Sequence, residues 1–391
     1  MFQSVNNLFS TDASEIKSLN GLRAFAIIFV LINHYALNLK FVLTNQPILE
    51  LIYSNFWFGV DLFFVLSGFL ISKGLWFHWQ KFQSIDFRSF YIKRTLRIFP
   101  AYYFFLIITV TIAYALLKFS EKKGVSTEVQ AALKKGISNV WGDFLFVGNY
   151  FPGIHNHTWS LSIEEQFYLL FPILCGILFF KLKFPKRQLM LWIFYLIPLL
   201  MRIITFIKVE ESSKPPYYGE IYSPLQTRFD SLIIGVIVMD LFYNNQNFSN
   251  FLNDHKKIYH LLSILFFSAL IFCLMISPHN LDIFSHTLRY NLQNLSFAGI
   301  MYLALINVKS PISNFLSLKV FTPFAKLSYT IYLWHFIFMG IALAILKVNQ
   351  NVSLFSFHIN FIFVLLIQLL LSIPLYLLIE LPFQKLRTKL L

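Results

Sequence analysis

The chain has 391 residues, of which 13% are charged, 57% hydrophobic and 19% aromatic. A soluble protein of this length carries about a quarter of its residues charged and divides into two or three domains, so the composition excludes that class and places most of the chain in lipid. The net charge of +14 is dispersed in short segments between apolar runs, which fits positive-inside anchoring and excludes a nucleic-acid-binding domain.

The first twenty or so residues lack the basic, apolar and small-residue succession of a signal peptide, which predicts an uncleaved first span. Windows of about twenty residues place helices near 22–39, 55–73, 98–118, 159–181, 188–207, 224–243, 258–277, 287–307, 326–346 and 359–380. The expected fold is all-α, a polytopic transmembrane bundle of about ten spanning helices forming a single domain over residues 1–391. With the N-terminus in the cytoplasm, the inner segments near 74–97, 181–187, 244–257, 308–326 and 381–391 hold, with the N-terminus, roughly twice the Lys and Arg of the outer ones. Both termini are therefore expected inside. The outer loop near 119–158 carries Lys122, Lys123, Lys134 and Lys135 and is long enough to escape the rule. Its apolar stretch VWGDFLFVGNYFPGIHNHTWS, broken by Gly and Pro, is expected to fold back on the bundle as short interfacial pieces. Cys175 and Cys273 fall in apolar runs, where a thiol behaves as a small hydrophobe, and imply neither a disulfide framework nor a zinc site.

An ionisable side chain within a spanning helix costs roughly 3 kcal/mol or more, so each one is a candidate for function. In the first span, LRAFAIIFVLINH brings Arg23 and His34 to nearly the same helix face, about 16 Å apart along the axis. A coenzyme A nucleotide held by cytoplasmic basic residues would present its thioester near His34, because the pantetheine arm has comparable length. Snorkelling of Arg23 and a helix-to-helix hydrogen bond from His34 account for the same spacing. In the second span, FWFGVDLFFVLSGFLIS puts Asp61, Val65, Gly68 and Ser72 on one broad face. Backbone packing explains Gly68, whereas a buried Asp61 requires a cation or a donor, such as a histidine that it would hold in one tautomer.

The stretch DFRSFYIKRTLRIFPAYY gathers Arg88, Lys93, Arg94 and Arg97 beside aromatics. Membrane anchoring accounts for the charge, and Arg94 with Arg97, three residues apart on a helix, could also grip nucleotide phosphates. In HTWSLSIEEQFYLLFP, Ser162 and Glu165 have capping-box spacing, which gives Glu165 a structural reason and leaves Glu164 without one. TRFDSLIIG sends Arg228 and Asp230 to different faces, each toward another helix or else into an internal ion pair. LSYTIYLWH stacks Ser328, Tyr332 and His335 on one face, as a polar cavity wall or a hydrogen-bond network. His155 and His157 lack further ligand spacing, so no metal is expected.

The ordered blocks LRAFAIIFVLINH, FGVDLFFVLSGFLI, FYIKRTLRIFPAYY, HTWSLSIEEQFYLLFP, RFDSLIIG, LSYTIYLWH and IELPF resemble the membrane-bound acyltransferase-3 family over nearly the whole chain. The resemblance implies ten core helices and transfer of an acyl group, typically from acetyl-CoA, to hydroxyls of surface polysaccharides, peptidoglycan, lipid-linked sugars or small natural products. It marks Arg23 and His34, a basic residue and a histidine separated by ten positions, as the functional motif, and likewise Asp61, Arg94, Arg97, Glu164, Arg228 and His335. An extracytoplasmic hydrolase-like domain, appended in some members, is not expected here.

The expected enzyme is an O-acetyltransferase in the bacterial inner membrane, surrounded by lipid, taking acyl-CoA from the cytoplasm and acting on a glycan or lipid-linked acceptor. His34 serves as general base or carries the acyl group, Asp61 or Glu164 orients it, and Arg228 and His335 complete the catalytic set. Arg23, Arg94 and Arg97 hold the donor. A transporter or flippase is the alternative, and it would be favoured by inverted repeats, of which the sequence gives no sign.

Overall fold

The structure is a computed structural model describing residues 6–11, 15–124, 127–211, 218–277, 282–348 and 352–390. Among the described residues there is no β-strand. The principal helices are α1 (Lys17–Asn38), α2 (Gly59–Phe82), α3 (Phe87–Lys123), α4 (Trp159–Ile177), α5 (Phe184–Glu211), α6 (Asp230–Asn244), α7 (Lys256–Leu274), α8 (Leu288–Ile306), α9 (Phe321–Ile345), α10 (Leu354–Leu375) and α11 (Leu381–Leu390). Helices α1 to α10 answer to the ten expected spans. Eight stretches among the described residues are long and apolar enough to cross a membrane, and they include every one of these helices except α6 and α8. The two exceptions have physical reasons. Helix α6 has 15 residues, and Asp230 to Asp240 are all buried, as suits an interior helix that meets protein on every side. The apolar character of helix α8, though not the helix itself, is interrupted by Arg289, Asn291, Gln293 and Asn294.

The chain divides into two compact units. The first comprises Met1–Gly74, Phe184–Tyr195 and Asp230–Leu378. In it α1 packs along α9, α9 along α10, and α8 against both α6 and α7. Helices α2 and α6 meet backbone to backbone: a Cβ on Gly68 would collide with the Leu232 carbonyl oxygen, and one on Gly235 with that of Val65. Helix packing therefore accounts for Gly68. At the start of α5, Arg187 Nη2 pairs with Asp240 Oδ1 at 2.7 Å, and Gln188 and Asn244 donate to the same carboxylate at 2.6 and 2.8 Å. The buried charge is thus paired and hydrogen-bonded.

The second unit comprises Leu75–Lys183, Leu196–Phe229 and Ile379–Leu391. Its spine is α3, 37 residues long, opened by Asp86, whose side chain accepts from the Ser89 amide, and closed by Gly124 at φ 64°. At 1.5 Å per residue α3 runs about 55 Å, well beyond the ~30 Å of a hydrocarbon core. The span expected at 98–118 covers only its apolar middle. The basic stretch from Arg88 to Arg97 forms the helix's own first turns, and α11 packs against α3.

The segment after α3 folds back as expected, through Thr127–Ser138, Val140–Phe144 and a turn at Asn156–Thr158. Tyr102 and Tyr103 of α3 donate to the carbonyls of Asp143 and Phe144 at 2.9 and 3.0 Å. Gln166 of α4 donates to the Phe146 carbonyl and to Asn149 Oδ1, both at 2.8 Å.

Candidate active site

In the first unit, the unbroken helix α1 carries Arg23 near its start and His34 near its end. Its packing along α9 brings His34 to His335, with ring centroids 5.0 Å apart and planes inclined by 33°. Phe336 lies against both rings, at 4.5 and 4.2 Å. His34 is half-buried and His335 fully buried. His335 Nδ1 lies 2.7 Å from the Tyr332 carbonyl oxygen. A carbonyl can only accept, so in the neutral ring the proton sits on Nδ1 and Nε2 is the basic nitrogen. Tyr332 and Ser328 are buried on the same helix face, and the Ser328 hydroxyl donates to Ala325 O at 2.9 Å.

Asp61, on α2, is fully buried, and its Oδ2 accepts from Gln293 Nε2 at 2.9 Å. Arg289, one turn before Gln293 on α8, lies within electrostatic reach of Asp61. Its guanidinium stacks on Trp57 at 5.5 Å and donates to Asn55 Oδ1 and to the Cys273 carbonyl. Asp230, at the first turn of α6, accepts from its neighbour Ser231 N at 3.1 Å and from Asn291 Nδ2 at 3.4 Å.

In the second unit, Arg94 of α3 is half-buried and lies 5.0 Å over the Tyr168 ring and 5.9 Å over that of Phe90. Arg97, Glu164 and Glu165 fall within its electrostatic reach. Arg97 is exposed. The capping-box reading of Glu165 does not hold. Helix α4 begins at Trp159, with Thr158 at its N-cap and no side-chain cap, so Ser162 lies inside the helix and donates back to the Thr158 carbonyl. Glu165 is instead a half-buried mid-helix carboxylate with a buried Oε1 that has no hydrogen-bond partner.

Arg228 precedes α6, following a tight turn at Leu225–Thr227. It is fully buried, 5.4 Å from the Trp159 ring and 4.7 Å from that of Tyr222. Its flat guanidinium suits such stacking. In the same unit, Arg202 of α5 is fully buried and donates to the Thr227 carbonyl.

Outside the spanning helices, Asp143 is fully buried and accepts from Thr158 Oγ1 at 2.8 Å. Burial pushes its carboxyl up to about 6, against the hydrogen bonds of Thr158 and Ile154 that pull it down. Burial pushes the His155 imidazole down to about 4. Among the described residues no three His, Cys, Asp or Glu side chains are grouped as metal ligands.

Sequence reasoning missed Arg202, Arg289 and the amides Gln293, Asn294 and Gln368. The two arginines carried the same signal as Arg228, a charge inside an expected span. The amides have no charge to betray them, although a buried amide in a spanning helix needs partners just as a charge does.

Comparison with known proteins identifies the class. The acyltransferase domain family matches residues 16–377, and the chain belongs to that family. Together with its spanning helices, this makes it an integral membrane protein. It is 31% identical over 331 residues to the O-acetyltransferase OatA of Staphylococcus aureus, covering 82% of this chain and 50% of that one. It is 29% identical over 346 residues to the peptidoglycan O-acetyltransferase OatA of Listeria monocytogenes, covering 86% and 51%. The chain thus spans about half the length of the curated relatives it matches. No solved structure matches it.

Proposed function

We propose that the chain acts as a single membrane domain that transfers an acetyl group from acetyl-CoA to a hydroxyl of a cell-surface polysaccharide, with peptidoglycan the leading acceptor. The observation that carries this reading is the facing pair His34 and His335, one of them the histidine of the family's motif. The names of the two relatives supply the acetyl group and the class of acceptor.

In this mechanism His34 removes the proton of the acceptor hydroxyl as its oxygen attacks the thioester carbonyl. The C–S bond breaks, the ester forms, and the proton passes to the departing coenzyme A thiolate. His335, 5.0 Å away, shares the transient positive charge of the pair. Asp61 adds a fixed negative charge in the same unit, while Glu164 and Arg228 act on the acceptor side. Arg23, Arg94 and Arg97 bind the donor's phosphates. The enzyme lies in the bacterial plasma membrane with both termini cytoplasmic, so that the donor is drawn from inside and the glycan is met outside.

The test is transfer of radiolabelled acetyl from acetyl-CoA to peptidoglycan fragments by the purified protein in nanodiscs. His34→Ala is expected to lower turnover by about 10² to 10⁴ with insertion and thermal stability near wild type. A stable variant retaining more than about a tenth of wild-type turnover removes His34 from the role of base.

A further inference from the structure

Helix α10 lies along α9, and its buried residues Phe357, Phe361, Val364, Gln368 and Ser372 recur every three or four positions as one inward stripe. The two polar members are both fully buried. Gln368 Nε2 donates to the main-chain carbonyl of His335 at 3.0 Å. Because that carbonyl only accepts, the amide nitrogen must face it and Oε1 must face away. There Oε1 is buried without a hydrogen-bond partner, as is Ser372 Oγ one turn further on.

Stability does not account for this amide. A single hydrogen bond between helices in lipid is worth little, and a buried acceptor left without a donor offsets it. Methionine would fill the same volume without either effect. What distinguishes the amide is its target, the peptide of the histidine that faces His34. The His335 ring is itself bonded to the Tyr332 carbonyl, so the ring and the 332–335 turn move as one body. An anchor on the His335 carbonyl therefore fixes the depth and rotation of the imidazole.

We propose that Gln368 is a positioning residue for the His335 imidazole, acting through the α9 backbone. The proposal rests on the reading of the His34–His335 pair as the reaction centre. A displacement of about 1 Å in a reacting group lowers rates on the order of 100-fold, which is the sensitivity such an anchor would serve.

The test compares Gln368→Met, near-isosteric but unable to donate, with Gln368→Glu, whose carboxyl, protonated where it is buried between the helices, still donates. In nanodiscs, Gln368→Met is expected to lower kcat by about 10-fold or more with donor KM and Tm unchanged, and Gln368→Glu to recover most of that loss. Solid-state NMR of the [15N]histidine-labelled protein should show the His335 Nδ1 resonance shifted in the Met variant and restored in the Glu variant. Wild-type kcat per folded molecule in Gln368→Met, or an unmoved imidazole resonance, overturns the proposal whatever happens to Tm. If the wild-type protein transfers acetyl from no thioester, the functional reading fails, and the resonance alone still decides whether Gln368 positions the ring.

Discussion

His34 and His335 face one another across the α1–α9 contact with ring centroids 5.0 Å apart, although about 300 residues separate them in the chain. Two imidazoles this close cannot both hold a full charge comfortably, so in the proposed reaction they would act as a unit around one proton. Groups that act as a unit lose activity non-additively. His34→Ala and His335→Ala are each expected to cost about 10² to 10⁴ in kcat/KM, and the double variant little more than the worse single one. A double variant whose loss is the product of the two single losses shows that the histidines act separately.

Arg94 and Arg97 read as a pair in the sequence, but their surroundings differ. Arg94 stacks on Tyr168 and Phe90, while Arg97 is exposed. Arg94→Gln should weaken coenzyme A binding and also lower stability by about 1 kcal/mol through the lost stacking. Arg97→Gln should leave Tm unchanged and weaken coenzyme A binding, as measured by calorimetry on protein in nanodiscs. Equal effects of the two substitutions on both quantities contradict this division.

The α2–α6 contact leaves no room for a methyl group at Gly68 or Gly235. Alanine at either position should cost at least about 1–3 kcal/mol and lower the amount of protein recovered from membranes. At Gly74, near the end of α2, a methyl group would have no neighbour within 4 Å, so Gly74→Ala should be neutral or stabilising by up to about 1 kcal/mol. Thermal unfolding of the three variants in one detergent makes the comparison.

Asp143 and His155 give the segment between α3 and α4 opposing pH dependences. Asp143, raised from 3.8 to about 6, binds more protons in the folded than in the unfolded state between those values, so its contribution to stability falls as pH rises through that window. His155, lowered from 6.5 to about 4, binds more protons when unfolded, so its contribution rises over nearly the same window. The difference between wild type and Asp143→Asn isolates the first effect. The variant should match wild type near pH 4 and exceed it at pH 7 by on the order of 3 kcal/mol. A constant difference from pH 4 to 7 would show that Asp143 does not titrate there.

The helices were legible because lipid enforces a simple rule, an apolar run of about twenty residues satisfying its own backbone. That rule found α6 and α8 as apolar segments but could not tell a helix facing lipid from one enclosed by other helices, where Arg289, Gln293 and Asn294 find a buried setting. It also cut α3 short, because Arg88, Lys93 and Arg97 end the apolar run without ending the helix. Single-helix spacing placed Arg23 and His34 correctly on one helix and left open which element His34 meets, since no periodicity within α1 encodes its packing against α9. The capping-box reading of Ser162 and Glu165 failed for a similar reason: the motif is local, but the start of α4 is set by the preceding turn at Asn156–Thr158.

The corner built by Arg289 bears on how the protein is made. Arg289 and Asn55 together bond the carbonyls of Cys273, Leu274 and Ile276 at the end of α7. Those carbonyls have no successor turn to accept from, and a low-dielectric surrounding offers no water in its place. During synthesis Asn55 is already present to receive the Leu274 and Ile276 carbonyls as α7 emerges, whereas the Cys273 carbonyl gains its donor only once α8 has entered and brought Arg289 beside it. The end of α7 is thus expected to be completed only with α8 in place, around an asparagine translated more than two hundred residues before Arg289.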